Sequence, residues 1–182
     1  MRFGSVVIRS MLVGGLAAAL LAGCHSTEQL AQCPAANVLA NTAQLTEFRK
    51  GMENDPSGEL YTVEITGVKA VCDIDKYEGT ASNDLVVSFR ATRPPNGDTA
   101  NYTVPYYLAT MVDGSKILSK QILAAAFTFG PAESQATFTV DVPSVMVHFA
   151  NGKKPYDYGL LVGLQLTRDQ LNYASTHERY AP

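Results

Sequence analysis

Tryptophan is absent from this sequence, and cysteine and histidine occur only three times each. So few histidines leave little material for base or metal chemistry. His25 and His177 fall in polar stretches, and His148, in SVMVHFA, has the opposite parity to Val145, Val147 and Phe149, which turns it outward from a strand. No G-x-S-x-G elbow, H-E-x-x-H, P-loop or C-x-x-C occurs. No catalytic residue, no cofactor and no metal is therefore expected, and the chain is read as not an enzyme. No basic run exceeds Lys153-Lys154, and the net charge is −3, which excludes a nucleic-acid role. Past residue 24 there is no second long apolar run, no internal repeat and no low-complexity tract.

What is present begins at the N-terminus. Met1 to Arg9 carries Arg2 and Arg9 and no acid, and Met11 to Ala22 follows without a charge. A charged n-region and an apolar h-region of about a dozen residues have the dimensions of a secretory signal. A membrane span needs roughly 20 apolar residues. The apolar run stops at Leu21-Ala22-Gly23-Cys24, and everything after it is polar.

That box resembles the lipobox of bacterial lipoproteins. The resemblance implies that residues 1–23 are removed as a signal peptide, that Cys24 is acylated, and that the mature chain starts there. His25 stands where an aspartate would favour inner-membrane retention, so the resemblance points to a lipid anchor in the outer membrane, facing the periplasm or the cell surface. One acyl chain binds a bilayer only marginally, whereas several hold firmly. The remaining 159 residues lose two arginines and no acid, which takes the net charge to −5. That is the length of one ordinary domain.

With Cys24 acylated, Cys33 and Cys72 remain in an oxidising compartment. A Cys33–Cys72 disulfide would leave no odd thiol and would be worth roughly 4 kcal/mol for a loop of about 40 residues. The alternative is two unrelated buried thiols. Residues 24–36 read as a lipidated tether. From Cys24 to Cys33 the nine steps reach at most about 30 Å, so the domain would sit close to the membrane.

Residues 37–53 fit either a short helix or a strand, and Asn54 to Gly58 is a turn cluster. From Leu60 the period is two. Tyr61, Val63 and Ile65 share a parity that slips after Gly67 to Val68, Ala70, Cys72 and Ile74, which predicts a bulge. Leu85, Val87 and Phe89 form the next inward set, and Ala136, Phe138, Val140 and Val142 another. Asp113-Gly114 predicts a tight hairpin. Tyr156 to Leu166 keep one parity throughout. The expected fold is all-β: an antiparallel, immunoglobulin-like sandwich of about seven or eight strands over residues 37–173, with a C-terminal tail at 174–182.

Two constellations remain. DIDKYEGTASND places Asp73, Asp75 and Asp84 at positions 1, 3 and 12 of a calcium-type loop, but its glycine is seventh rather than sixth and its flanks read as strands. A polar hairpin connection explains it better. Nine tyrosines are the other feature. In YTVPYYLATMV, Pro105 cannot donate a ladder hydrogen bond, which suggests an edge strand, and Tyr102, Tyr106 and Tyr107 become candidates for a partner-binding face. The expected function is a non-enzymatic, lipid-anchored envelope module, with the membrane and an envelope protein as partners. The alternative is a surface-anchored small-ligand binder or hydrolase with a loop-built site. Cys33-Pro34 and LQLTRDQLNY, Leu164 to Tyr173, also resemble small alphaproteobacterial lipoproteins of unknown function, a likeness that implies no activity.

Overall fold

The structure, a computed structural model, describes residues 33–95 and 97–177. The expected signal peptide and the Cys24 acylation site lie outside the described residues. Eight strands form: β1 (Ala35–Val38), β2 (Gln44–Phe48), β3 (Glu59–Asp75), β4 (Thr80–Thr92), β5 (Ala100–Val112), β6 (Lys116–Phe129), β7 (Gln135–His148) and β8 (Tyr158–Leu164). One helix, α1 (Arg168–Thr176), follows them. The strands make two four-stranded sheets, ordered β1-β8-β5-β6 and β2-β3-β4-β7. Every pairing is antiparallel except β1 with β8, where Ala35 to Val38 run parallel to Gly159 to Val162. The protein is an all-β sandwich, but its strand order is not the ABED/CFG order of immunoglobulin domains.

Alternation builds the core. The inward parity of β3 and β4 buries Val63, Ile65, Leu85, Val87 and Phe89 against Val104, Tyr106, Leu160, Val162 and Leu164 of the other sheet. At one end the rings of Tyr61, Tyr102, Phe127 and Phe129 pack together, with Tyr61 and Tyr102 centroids 4.4 Å apart. The β3 register shifts between Ile65 and Gly67, where the parity slip falls. Asp113 and Gly114 both take positive φ in the β5–β6 hairpin, as a tight two-residue turn requires.

Arg93 is buried at this aromatic end, with its guanidinium 4.7 Å above the Phe129 ring. It donates to four backbone carbonyls: Glu133 and Gly130 on one loop, Gly97 and Asp98 on the other. A planar fork of N–H donors suits that task, and the carbonyl dipoles stand in for a carboxylate.

The chain enters the described fold at the opposite end. Cys33 and Cys72 are bonded, with Cα atoms 6.0 Å apart. β1 lies against β3 across the two sheets, and the Ile65 N–H donates to the Ala43 carbonyl just before β2. Helix α1 opens on a capping box between Thr167 and Gln170 and reaches three residues past Tyr173. It packs on β2 through Tyr173, edge-on to Phe48 at 4.9 Å, and through a 3.0 Å bond from Gln170 Nε2 to Glu47.

Candidate functional site

β5 is not the edge strand that Pro105 suggested, because it pairs with β6 on one side and β8 on the other. The physical reason is local. The Pro105 carbonyl accepts from the Gln165 N–H, just beyond the last residue of β8. A residue's N–H and C=O point the same way across a strand, so the missing donor falls where the β8 ladder has already ended. A central strand thus accommodates proline at a point where one neighbour stops short.

The three candidate tyrosines do not share an exposed face. Tyr102 is half-buried in the aromatic cluster, and Tyr106 is 1% exposed, edge-on to Phe89. Tyr107 points to the outer face yet is only 7% exposed. It lies across Gly163, where a Cβ would meet its ring and the Thr42 hydroxyl. Its own hydroxyl bonds Thr42 Oγ1 at 2.9 Å, and Lys120 stands 4.3 Å over the ring.

The free edges belong instead to β6 and β7. In β6 the residues Ala125, Phe127 and Phe129 alternate inward, while Lys116 to Ile122 are exposed at every position. Ser119 and Gln121 are polar, so little draws this half onto the facing sheet. Its apolar residues Ile117, Leu118 and Ile122 face solvent. Across from it, β7 is bent by a bulge: the register with β4 shifts between Asn83 and Leu85, and Ser144 takes a φ of 56°. The Ser144 N–H donates to Asp84 Oδ1 at 2.8 Å, which gives the bulge its partner.

Between these diverging edges lies a cleft of about 590 Å³. Tyr106, Leu108 and Thr110 of β5 form its floor, and Val140, Val142 and Val145 form the β7 wall. Burial pushes the Tyr106 phenol above its ordinary pKa, so it is an uncharged donor at neutral pH. Beneath the β7 bulge, buried Asn83 donates through its amide to the Ala81 and Val145 carbonyls, while its Oδ1 accepts nothing from the chain. The lining includes Asp141, Ser119 and Ser144 but no histidine. It therefore offers a trough of mixed polar and apolar lining with two flanking backbone edges rather than a nucleophile beside a base.

Of the sequence candidates, the structure brings Cys33 and Cys72 together and makes Tyr106 part of the cleft floor; Tyr102 and Tyr107 lie elsewhere. The DIDKYEGTASND segment is the β3–β4 hairpin, with the Asp75 carboxylate accepting from the Tyr77 and Glu78 N–H groups. No group of three or more metal-capable side chains occurs among the described residues. Sequence reasoning passed over β6. Its signal is KILSKQIL, where apolar residues fall on both parities and lysines recur every fourth position. Compared with known proteins, the chain matches no protein family, no curated protein and no solved structure.

Proposed function

We propose that this is a lipid-anchored envelope protein whose sandwich binds an extended segment of a partner protein along the β6–β7 flank. The observation that carries the reading is the first half of β6. Lys116 to Ile122 present an unpaired backbone edge, exposed apolar side chains and an adjoining trough of mixed polar and apolar lining. Strand addition uses those features: main-chain bonds to the edge supply affinity, and alternate side chains enter the trough. Lys116 and Lys120 keep the edge from pairing indiscriminately, as edge lysines do. The anchor at Cys24 rests on the lipobox-like run and places the module at a membrane.

The test is site-specific photo-crosslinking in intact cells, with the probe at Ile122 or at Glu47 on β2. A discrete protein adduct from Ile122, absent from Glu47 and lost on Leu118→Lys, is the expected result. Equal adducts from both positions would refute the flank as the working surface. A second reading draws on the cleft volume, which falls within the range of small-ligand sites of about 300–1,000 Å³. In that case Val142→Trp would fill the trough and abolish ligand uptake, while Leu118→Lys, outside its lining, would not.

A further inference from the structure

The end of the sandwich at which the chain emerges from its expected anchor is unlike the other end. Six of the ten large apolar side chains that are exposed among the described residues lie there: Val71, Tyr77, Ile117, Leu118, Met146 and Tyr156. The turns at the opposite end, over the described residues 49–58, 93–95, 97–99 and 130–134, hold none of the ten. Tyr77 is fully exposed at the tip of the β3–β4 turn, and Tyr156 is nearly two-thirds exposed in the turn before β8.

These turns form one platform. The Phe149 N–H donates to the Gly79 carbonyl, joining the β7–β8 loop to the β3–β4 turn. The Asp113 N–H donates to the Asp157 carbonyl, and Lys153 pairs with Asp113 at 2.5 Å, which ties in the β5–β6 turn. Between the β5–β6 turn and the β7–β8 loop is a hollow of about 440 Å³, with Lys116, Lys153, its partner Asp113 and His148 among its lining and Leu118 and Tyr158 as apolar surface. Acids are present too, as Asp73, Asp75, Glu78, Asp113 and Asp157. Three of them are engaged locally: Asp75 on Tyr77 and Glu78, Asp157 on the Lys154 N–H, and Asp113 on Lys153. Lys76, Lys116 and Lys154 make no ion pair among the described residues.

We infer that this end docks on the phospholipid surface of the membrane, with Tyr77 and Tyr156 at the headgroup level and the lysine-lined hollow over headgroup phosphates. The inference rests on the anchoring reading above and adds an orientation to it. Exposed tyrosines beside lysines are the side chains that settle at a membrane–water interface. The chain outside the structure fixes which surface is within reach: Cys33 is bonded to Cys72, three residues from the end of β3, and Cys24 lies nine steps earlier, at most about 30 Å away. The acyl chains supply the affinity, and the platform sets the pose. The β6–β7 cleft then opens sideways, parallel to the membrane, with its β6 edge rising from the surface.

The chain has no tryptophan, so single reporters are clean. Tyr77→Trp and Tyr156→Trp replace exposed rings and leave packing intact, and Lys50→Trp marks the opposite end. Each full-length variant is purified from membranes and reconstituted into mixed phosphatidylethanolamine–phosphatidylglycerol vesicles with brominated acyl chains. Quenching several-fold stronger at positions 77 and 156 than at 50, with a blue-shifted emission, is the expected result. Equal quenching at all three positions overturns the pose. Intact mass tests the anchor separately. If no acyl groups are found, the anchoring reading falls, and Cys24, the thiol outside the disulfide, is coupled to a maleimide lipid so that the same comparison still decides the pose.

Discussion

On one flank of the sandwich the two sheets are joined by the Cys33–Cys72 bond, by β1 lying against β3, and by helix α1 covering the β2 edge. On the other flank β6 and β7 part around a cleft and leave Lys116 to Ile122 bare. Both flanks are made of β-strands, but the strands of the closed flank alternate and the first half of β6 does not. The difference lies in what stands at the inward positions and what covers the edge. Where the inward residues are Val63, Ile65 and Leu45, the sheets close; where they are Ser119 and Gln121, they do not. A sandwich with one closed flank and one open flank is stapled on the first and leaves a strand edge unpaired on the second.

The comparison breaks most visibly at the disulfide. Cys33→Ala with Cys72→Ala opens a loop with a sequence separation of 39 and removes the staple of the closed flank. A loss of about 4 kcal/mol in urea unfolding is expected. A loss below about 1 kcal/mol would mean that the β1–β3 packing closes the flank by itself.

Titration gives the next largest effect. Burial, aided by Glu47 and Tyr102, pushes the Tyr61 phenol up to about 12, from an ordinary 10.0. The unfolded chain therefore loses this proton first, and stability falls as pH rises from about 10 to 12. The full effect is about 2–3 kcal/mol. Tyr61→Phe should leave stability at neutral pH nearly unchanged and flatten this alkaline slope, as followed by thermal melts across that window.

Gly163→Ala tests how the turn between β1 and β2 is held to the outer face of β8. The added Cβ meets the Tyr107 ring and the Thr42 hydroxyl. A cost of about 1–3 kcal/mol is expected from overpacking. Tyr107→Phe removes only the 2.9 Å bond to Thr42 and should cost about 1 kcal/mol.

The smallest stability effect belongs to the open flank. Leu118→Lys and Ile122→Lys alter exposed positions and should shift unfolding by no more than about 0.5 kcal/mol. If strand addition is the function, Leu118→Lys also loses the partner adduct formed by the probe at position 122. A large drop in melting temperature would instead show that the open edge is part of the core.

Several features were readable in advance because they are local. The parity slip at Gly67 became the bulge between Ile65 and Gly67, and Asp113-Gly114 became the β5–β6 turn. The pairing of Cys33 with Cys72 followed from counting. Helix α1 was also legible in Thr167-Arg168-Asp169-Gln170, a capping-box spacing that the strand-dominated reading passed over. Pro105 misled because its meaning depends on where β8 ends, sixty residues later. The tyrosines of β5 misled for a related reason: a ring's exposure depends on whether a glycine such as Gly163 lies opposite to receive it.

The sequence by itself determined β3, β4, β7 and β8, because the period of two assigns each side chain a face wherever apolar and polar residues alternate; β1 overlaps the expected tether, and β2 was open to either a helix or a strand. It determined the turns that need positive φ, and the even cysteine pair left once Cys24 is set aside. Only the tertiary structure decided which strands lie at the edges, which flank is closed, and that β1 runs parallel to β8. A strand's neighbours are chosen by backbone hydrogen bonds, which every sequence offers alike, and by packing between residues far apart in the chain. Tyr106 and Val142 meet across one cleft only because β5 and β7 are held apart by a β6 whose inward side chains are too polar to close it.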